Sequence, residues 1–401
     1  MEKAIYDLII VGGGIGGSVL AKVMAEKGAR VLVVERDKQF KDRVRGEGMH
    51  AWGVPEAKAL GVYKLLRDTC GLEVRWWDIY LGTQMFAHRD FTETTPHRSP
   101  LFSFYHPDMQ EVLLTAAAAA GAEVWRGAAV RRVRSEPLPT VTVEQDGWMH
   151  ELRARLVVGA DGRTSPTRKW MGFEVQQDPA RRLFTGVLLE NVPLPEDTWY
   201  AVMNPVNGHE VFLGNIGQGR VRAYLGYPID VQSRFLKAHD IPRLFETCIH
   251  TGADAALYAD ARAVGPMASF ASDDAWVEHP YKQGVALIGD AASTCDPSFG
   301  QGLAMALRSV RRLRDELLGT DDWDAAGHAY AEAQYRDFSV IHALEDWLRA
   351  IFLETGPAAD MRRERALPLI ARDPTRVPDL FGMGPDAPAN DAERQRFFGE
   401  V

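Results

Sequence analysis

The apolar positions follow two patterns, and the switch between them divides the chain. Tyr6 to Val11 reads Tyr-Asp-Leu-Ile-Ile-Val, a nearly unbroken run of the kind a parallel strand buried on both faces requires. Ser18 to Lys27 then has helical composition and stops at Gly28, and Ala29 to Glu35 is a second buried strand. Two later runs repeat this pattern, Leu156 to Val158 before Gly159 and Val285 to Ile288 before Gly289. Elsewhere the pattern suits a more open sheet. Val74 to Leu81 is a predicted strand, and His209 to Ile216 and Arg220 to Tyr227 flank Gly217-Gln218-Gly219 as a hairpin. Alternation sends Phe212 to one face of that hairpin and Val211 and Leu213 to the other, without saying which face is which. Tyr330 to Glu354 carries a helical pattern ending near Gly356, and the stretch with Pro374, Pro378, Pro385 and Pro388 reads as an irregular tail.

Composition narrows the classes. The 401 residues are 46% hydrophobic and 25% charged, as in a soluble globular protein large enough for two domains. A net charge of -9 argues against nucleic acid as a partner, since phosphate binding needs a basic surface. Three scattered cysteines, Cys70, Cys248 and Cys295, form neither a disulfide framework nor a metal motif, so a reducing, cytoplasmic setting is expected. The first motif begins too early for a targeting segment before it, and no apolar run approaches the roughly 20 residues of a membrane span.

The chemistry sits where the buried runs end. Gly12, Gly14 and Gly17 have the Gly-x-Gly-x-x-Gly spacing of a dinucleotide turn, with Ile15 inside it and Glu35, followed by Arg36, about 20 residues on. The first glycine allows the tight turn, the second lets backbone approach a pyrophosphate, and the third permits close packing of helix on strand. Glu35 is the expected acceptor for ribose hydroxyls. This motif alone leaves NAD and FAD undecided. Two further turns, Gly159-Ala160-Asp161-Gly162 and Gly289-Asp290-Ala291-Ala292, each follow a buried strand, and the second runs on to Pro297 and Gly300-Gln301-Gly302.

On these three motifs together the chain resembles the group A FAD-dependent monooxygenases, the para-hydroxybenzoate hydroxylase-like flavoproteins. The resemblance covers roughly residues 5 to 50, 107 to 172 and 280 to 315. It implies an α/β fold, with a Rossmann-like FAD-binding domain from 1–72, 106–180 and 273–330. A mostly antiparallel substrate domain is interleaved from 73–105 and 181–272, and 331–401 form a C-terminal helical cap and tail. FAD is the implied cofactor. Asp290 would lie at its ribityl chain, Asp161 and Gly162 near the pyrophosphate, and Arg45 beside the flavin. Gly289, Pro297, Gly300, Gln301 and Gly302 would lead into a helix whose N-terminus faces the flavin ring and favours negative charge there.

Two departures stand out. Ser293 and Ala304 occupy places where the family commonly has His and Asn, and His106 stands where an arginine is frequent. The implied activity is hydroxylation or epoxidation of a small aromatic or polyunsaturated molecule. In it NAD(P)H, bound transiently, reduces the flavin, and O2 adds to the ring as a hydroperoxide. No separate catalytic acid, base or nucleophile is required. No second dinucleotide fingerprint follows residue 170, which argues against a separate nicotinamide domain. A prenyl-reductase-type enzyme on the same scaffold is the alternative; a halogenase or a non-enzymatic flavin binder ranks lower. Aromatic residues are dense in the substrate half, and Phe212 and Tyr224 of the central hairpin are the expected substrate contacts.

Overall fold

The computed structural model describes residues 5–44, 46–135, 137–230, 235 and 238–401. Strand Tyr6–Val11 lies between Trp148–Gly159 and Val31–Glu35, parallel to both, with Glu123–Arg126 beyond the latter and Val285–Leu287 beyond the former. Tyr281–Lys282 adds an antiparallel edge. Leu8, Ile9, Ile10, Leu32, Val33 and Val157 are fully buried, as their unbroken apolar runs require. Because these strands run in one direction, residues 12, 35, 160 and 289 all emerge at the same edge of the sheet.

That edge is packed main chain against main chain. Gly12 has φ +104°, and a Cβ there would fall 2.5 Å from the Ala160 carbonyl oxygen; one on Gly17 would fall 2.0 Å from the Gly12 carbonyl oxygen. The helix Ile15–Ala25 therefore starts earlier than its composition predicts, directly on the glycine turn.

The second sheet is antiparallel except where Thr198–Asn204 runs parallel to Trp76–Leu81. The predicted hairpin is present, with Phe212 opposite Tyr224. Val211, Leu213, Val221, Ala223 and Leu225 form a core with Leu244 and Cys248 of the helix Ile241–Thr251, which leaves Phe212 and Tyr224 on the other face. The predicted strand from Val74 to Leu81 is broken at Arg75. Its first part, Gly71–Val74, pairs with Leu101–Phe104 in a separate small sheet, and only Trp76–Leu81 joins the large one.

The C-terminal expectation needs correction. The helix Trp323–Phe352 begins earlier than the apolar pattern indicates, because Asp322 caps it by accepting from the Ala325 amide. Beyond it the chain is ordered into helices Pro357–Arg372 and Asp391–Phe397, with Leu380, Phe397 and Phe398 buried in the main core. Pro357, Pro374 and Pro385 sit in first turns, where a missing N–H costs nothing. No helix among the described residues is long and apolar enough to cross a membrane.

Phe397 is 1% exposed. Phe397→Ala should therefore lower unfolding free energy by about 3 kcal/mol, measured by denaturant unfolding; no change would mean that this segment does not pack on the core.

Candidate active site

One cavity of about 1130 Å³ runs along the shared edge and under the second sheet. It exceeds the roughly 300–1,000 Å³ usual for a single small-ligand site. Gly12, Gly14, Ile15, Glu35, Arg36, Asp161, Gly162, Gly289, Asp290, Pro297, Gly300, Gln301 and Gly302 all line it, as do Phe212 and Tyr224. Gly17 lies beneath the wall, where it lets helix and strand close up. Arg45 lies outside the described residues.

At the nucleotide end, the Glu35 carboxylate is fixed by two amides: Gly13 N donates to Oε2 at 2.7 Å and Asp37 N to Oε1 at 2.8 Å. Each oxygen keeps a lone pair for a ligand hydroxyl. The helices Ile15–Ala25 and Gly302–Gly319 both start without a side-chain cap, and both starts line the same cavity. Two sets of unsatisfied N–H groups, with a positive dipole end each, thus border one space. An uncapped helix start suits a pyrophosphate, and the second suits an electron-rich ring edge. The residues present fit a flavin dinucleotide.

Two of the polar side chains are committed to the protein itself. Asp161 accepts from Ser165 Oγ at 2.5 Å, from Thr167 N at 2.9 Å and from Thr167 Oγ1 at 2.7 Å, so its carboxylate organises the start of the helix Pro166–Met171. Gln301 accepts from Trp52 Nε1 at 2.8 Å and donates to the Phe299 carbonyl at 2.5 Å, and it is fully buried. What both positions offer the cavity is main chain. Asp290 lies in the turn Gly289–Ala291, with Oδ1 4.0 Å from where a Cβ of residue 302 would be.

The sheet end is aromatic. Trp199 packs edge-on to Phe212 at 5.3 Å and to Trp77 at 5.8 Å, and His50 stacks on Trp77 at 5.4 Å. Trp199 also explains Gly48, since a Cβ there would fall 2.6 Å from its ring. His50 Nε2 lies 2.8 Å from the Phe299 carbonyl oxygen and must carry the proton; burial pushes its pKa down to about 3, which keeps the ring neutral. Of the family departures, His106 lines the cavity with Nδ1 2.8 Å from the Gly46 carbonyl oxygen, while Ser293 and Ala304 do not line it.

Charged residues the sequence did not single out, Asp42, Arg182, Glu210 and Arg222, complete this end around Tyr224. Arg222 Nη2 pairs with Asp42 at 2.7 Å and Glu47 at 3.0 Å, and Tyr224 donates to Glu47 Oε2 at 2.6 Å. Arg182 Nη2 pairs with Glu210 at 2.6 Å. The available signal was parity: Glu210, Phe212 and Gly214 share a face, as do Arg222, Tyr224 and Gly226.

Burial raises Glu47 to about 7, against the opposing pull of Arg222. Between its ordinary value near 4.5 and about 7, the folded chain holds a proton that the unfolded chain has released, so this group's contribution to stability falls as pH rises through that window. Glu47→Gln should remove that term. The difference in melting temperature between pH 5 and pH 8 should shrink relative to the parent; an unchanged difference would contradict the assignment.

The FAD binding domain family matches residues 6–320 of the chain. Rifampicin monooxygenase of Streptomyces venezuelae is 27% identical over 369 residues, covering 89% of this chain and 74% of that protein. Digeranylgeranylglycerophospholipid reductase of Methanosarcina acetivorans is 24% identical over 334 residues, covering 76% and 73%. In structure, p-nitrophenol 4-monooxygenase PnpA of Pseudomonas putida superposes with a TM-score of 0.78 at 18% identity, over 92% of this chain and 95% of that one. The chain belongs to the FAD binding domain family and is a FAD-dependent oxidoreductase on the group A monooxygenase scaffold.

Proposed function

We propose that the protein is a monooxygenase that inserts one oxygen atom into a small aromatic or unsaturated molecule. It would use NAD(P)H and O2 and release water and NAD(P)+. The observation that carries this reading is the continuity of one cavity from Glu35 to the Phe212–Tyr224 face, long enough in this reading for a flavin and a planar substrate side by side. Bound flavin supplies the electron transfer and oxygen activation. The chain's own residues bind, orient and exclude water. In this reading Glu35 holds the adenosine ribose, and the amides at the start of Ile15–Ala25 hold the pyrophosphate. Asp290 holds the ribityl chain, and the start of Gly302–Gly319 faces the ring. Phe212, Trp199 and Tyr224 hold a flat substrate against it, and their apolar wall keeps water from the reacting atoms.

The second reading, reduction of a prenyl lipid, is supported by the archaeal relative. The aromatic residues of the sheet end favour the first, since the rings of Trp77, Trp199 and Phe212 suit a planar substrate. Product formed under 18O2 should carry one labelled oxygen; product without label would contradict oxygenation and favour the reductase. For the cofactor end, Glu35→Ala removes hydrogen bonds to a charged acceptor, a loss of about 1.5–3 kcal/mol. FAD retention should fall by at least about tenfold, read from the flavin-to-protein ratio after dialysis, and full retention would contradict the ribose role.

A further inference from the structure

A second group of charged side chains lies where the long C-terminal helix meets a small sheet. The antiparallel pair Gln176–Gln177 and Ala275–Trp276 brings Asp178 beside Asp274, and the Asp178 amide donates to the Asp274 carbonyl at 2.9 Å. The helix Trp323–Phe352 meets this pair at Trp276, whose ring lies 4.9 Å from that of His342. Phe338 stacks on the same imidazole at 5.5 Å and 14°, so the ring is held in place. Asp346 follows one turn later on the same face of the helix.

His342 Nε2 stands 2.9 Å from Asp178 Oδ2 and 3.7 Å from Asp274 Oδ2. One ligand atom each from Asp178, His342 and Asp346 lies within 4.8 Å of the others. Ligands on opposite sides of one divalent cation stand roughly 4–5 Å apart, so all three residues reach a common ion with little movement.

Acidic residues near a surface are common, and Asp274 is what sets this group apart. Its side chain is fully buried, and neither carboxylate oxygen accepts a hydrogen bond from any described residue. The nearest cationic atoms, His342 Nε2 and Arg349 Nη2, both lie 3.7 Å from Oδ2, beyond hydrogen-bond distance. Arg349 is engaged elsewhere, with Nη2 3.0 Å from Asp296 and Nη1 donating to Asp346. Asp178, Asp274, Asp296 and Asp346 thus share one guanidinium and one imidazole. A buried carboxylate without a partner is costly, and a cation beside His342 Nε2 removes that cost. The Asp346 side chain is 48% exposed, which opens the group to ions from solvent.

We propose that Asp178, His342 and Asp346, with Asp274 facing them, form a site for one first-row divalent cation of the Mn2+ or Zn2+ kind. Imidazole together with carboxylates suits these ions, whereas Mg2+ and Ca2+ favour oxygen ligands alone. The ion clamps the helix Trp323–Phe352 to the small sheet. Arg349 of that helix pairs with Asp296, which lines the flavin cavity, so the clamp also steadies that wall. The site does not depend on the oxygenation reading.

The test is Mn2+ binding to the FAD-loaded protein after dialysis against a chelator, with free Mn2+ read by electron paramagnetic resonance. Each chain should take up one Mn2+; Zn2+ should displace it, and an equal concentration of Mg2+ should not. Saturating Mn2+ should raise the melting temperature, since the ion binds only the folded chain. His342→Ala and Asp346→Asn should each weaken uptake by about tenfold or more and abolish the rise. Asp346 is half exposed, so its variant tests the site with the core intact, and retained flavin checks this. His328→Ala should leave uptake unchanged; it removes an exposed imidazole pair, His279 and His328 at 2.8 Å, that also attracts such ions. No saturable uptake, uptake that survives both His342→Ala and Asp346→Asn, uptake lost with His328→Ala, or displacement by Mg2+ would overturn the proposal.

Discussion

The structure depends on how closely its main chain approaches itself at one edge of the parallel sheet. The turn after the first strand, the start of the first helix and residue 160 all meet there, at distances where no Cβ fits at positions 12 and 17. That contact aims the unsatisfied amides of the first helix outward along the sheet edge. The other turns follow from strand direction alone, since each parallel strand delivers its next residues to the same side. Separate stretches of sequence thereby border a single cavity.

The second sheet is held over that edge by charge as well as by apolar packing. Arg222 reaches Asp42 and Glu47 in the loop after the second strand, and Glu210 reaches Ser298 beside the second uncapped helix. The side chains of Arg222 and Asp42 are buried, so losing one of them would leave an uncompensated charge, a far larger penalty than the loss of a surface pair. They fix where the aromatic wall stands relative to the loops that face it. Wall position, rather than a reactive side chain, is what this cavity controls.

Local requirements were legible in the sequence, and non-local ones were not. Glycine spacing reports a steric demand within a few residues, which is why Gly12, Gly14 and Glu35 could be assigned before any fold was known. Alternation separated Phe212 from Val211 and Leu213, but only the helix packed on Val211 and Leu213 decides which face is core. The partners of Arg222 lie far away along the chain, and no pattern in one strand announces them. Asp161 lines the cavity as expected, but the bonds of its carboxylate were not foreseen. Its place after a buried strand suggested a ligand contact, yet Ser165 followed by proline is also a helix start, and the carboxylate serves that start. The C-terminal prolines misled in the same way, since proline marks a first helical turn as readily as a loop.

The claim that one cavity holds flavin and substrate together is tested most directly by a crystal structure of the FAD-loaded protein. The account predicts the adenosine at Glu35, the pyrophosphate at the start of Ile15–Ala25, and the ring at Pro297 to Gly302 with one face toward Phe212 and Tyr224. Density for the ring away from that segment, or separated from the Phe212 face by protein, would contradict it.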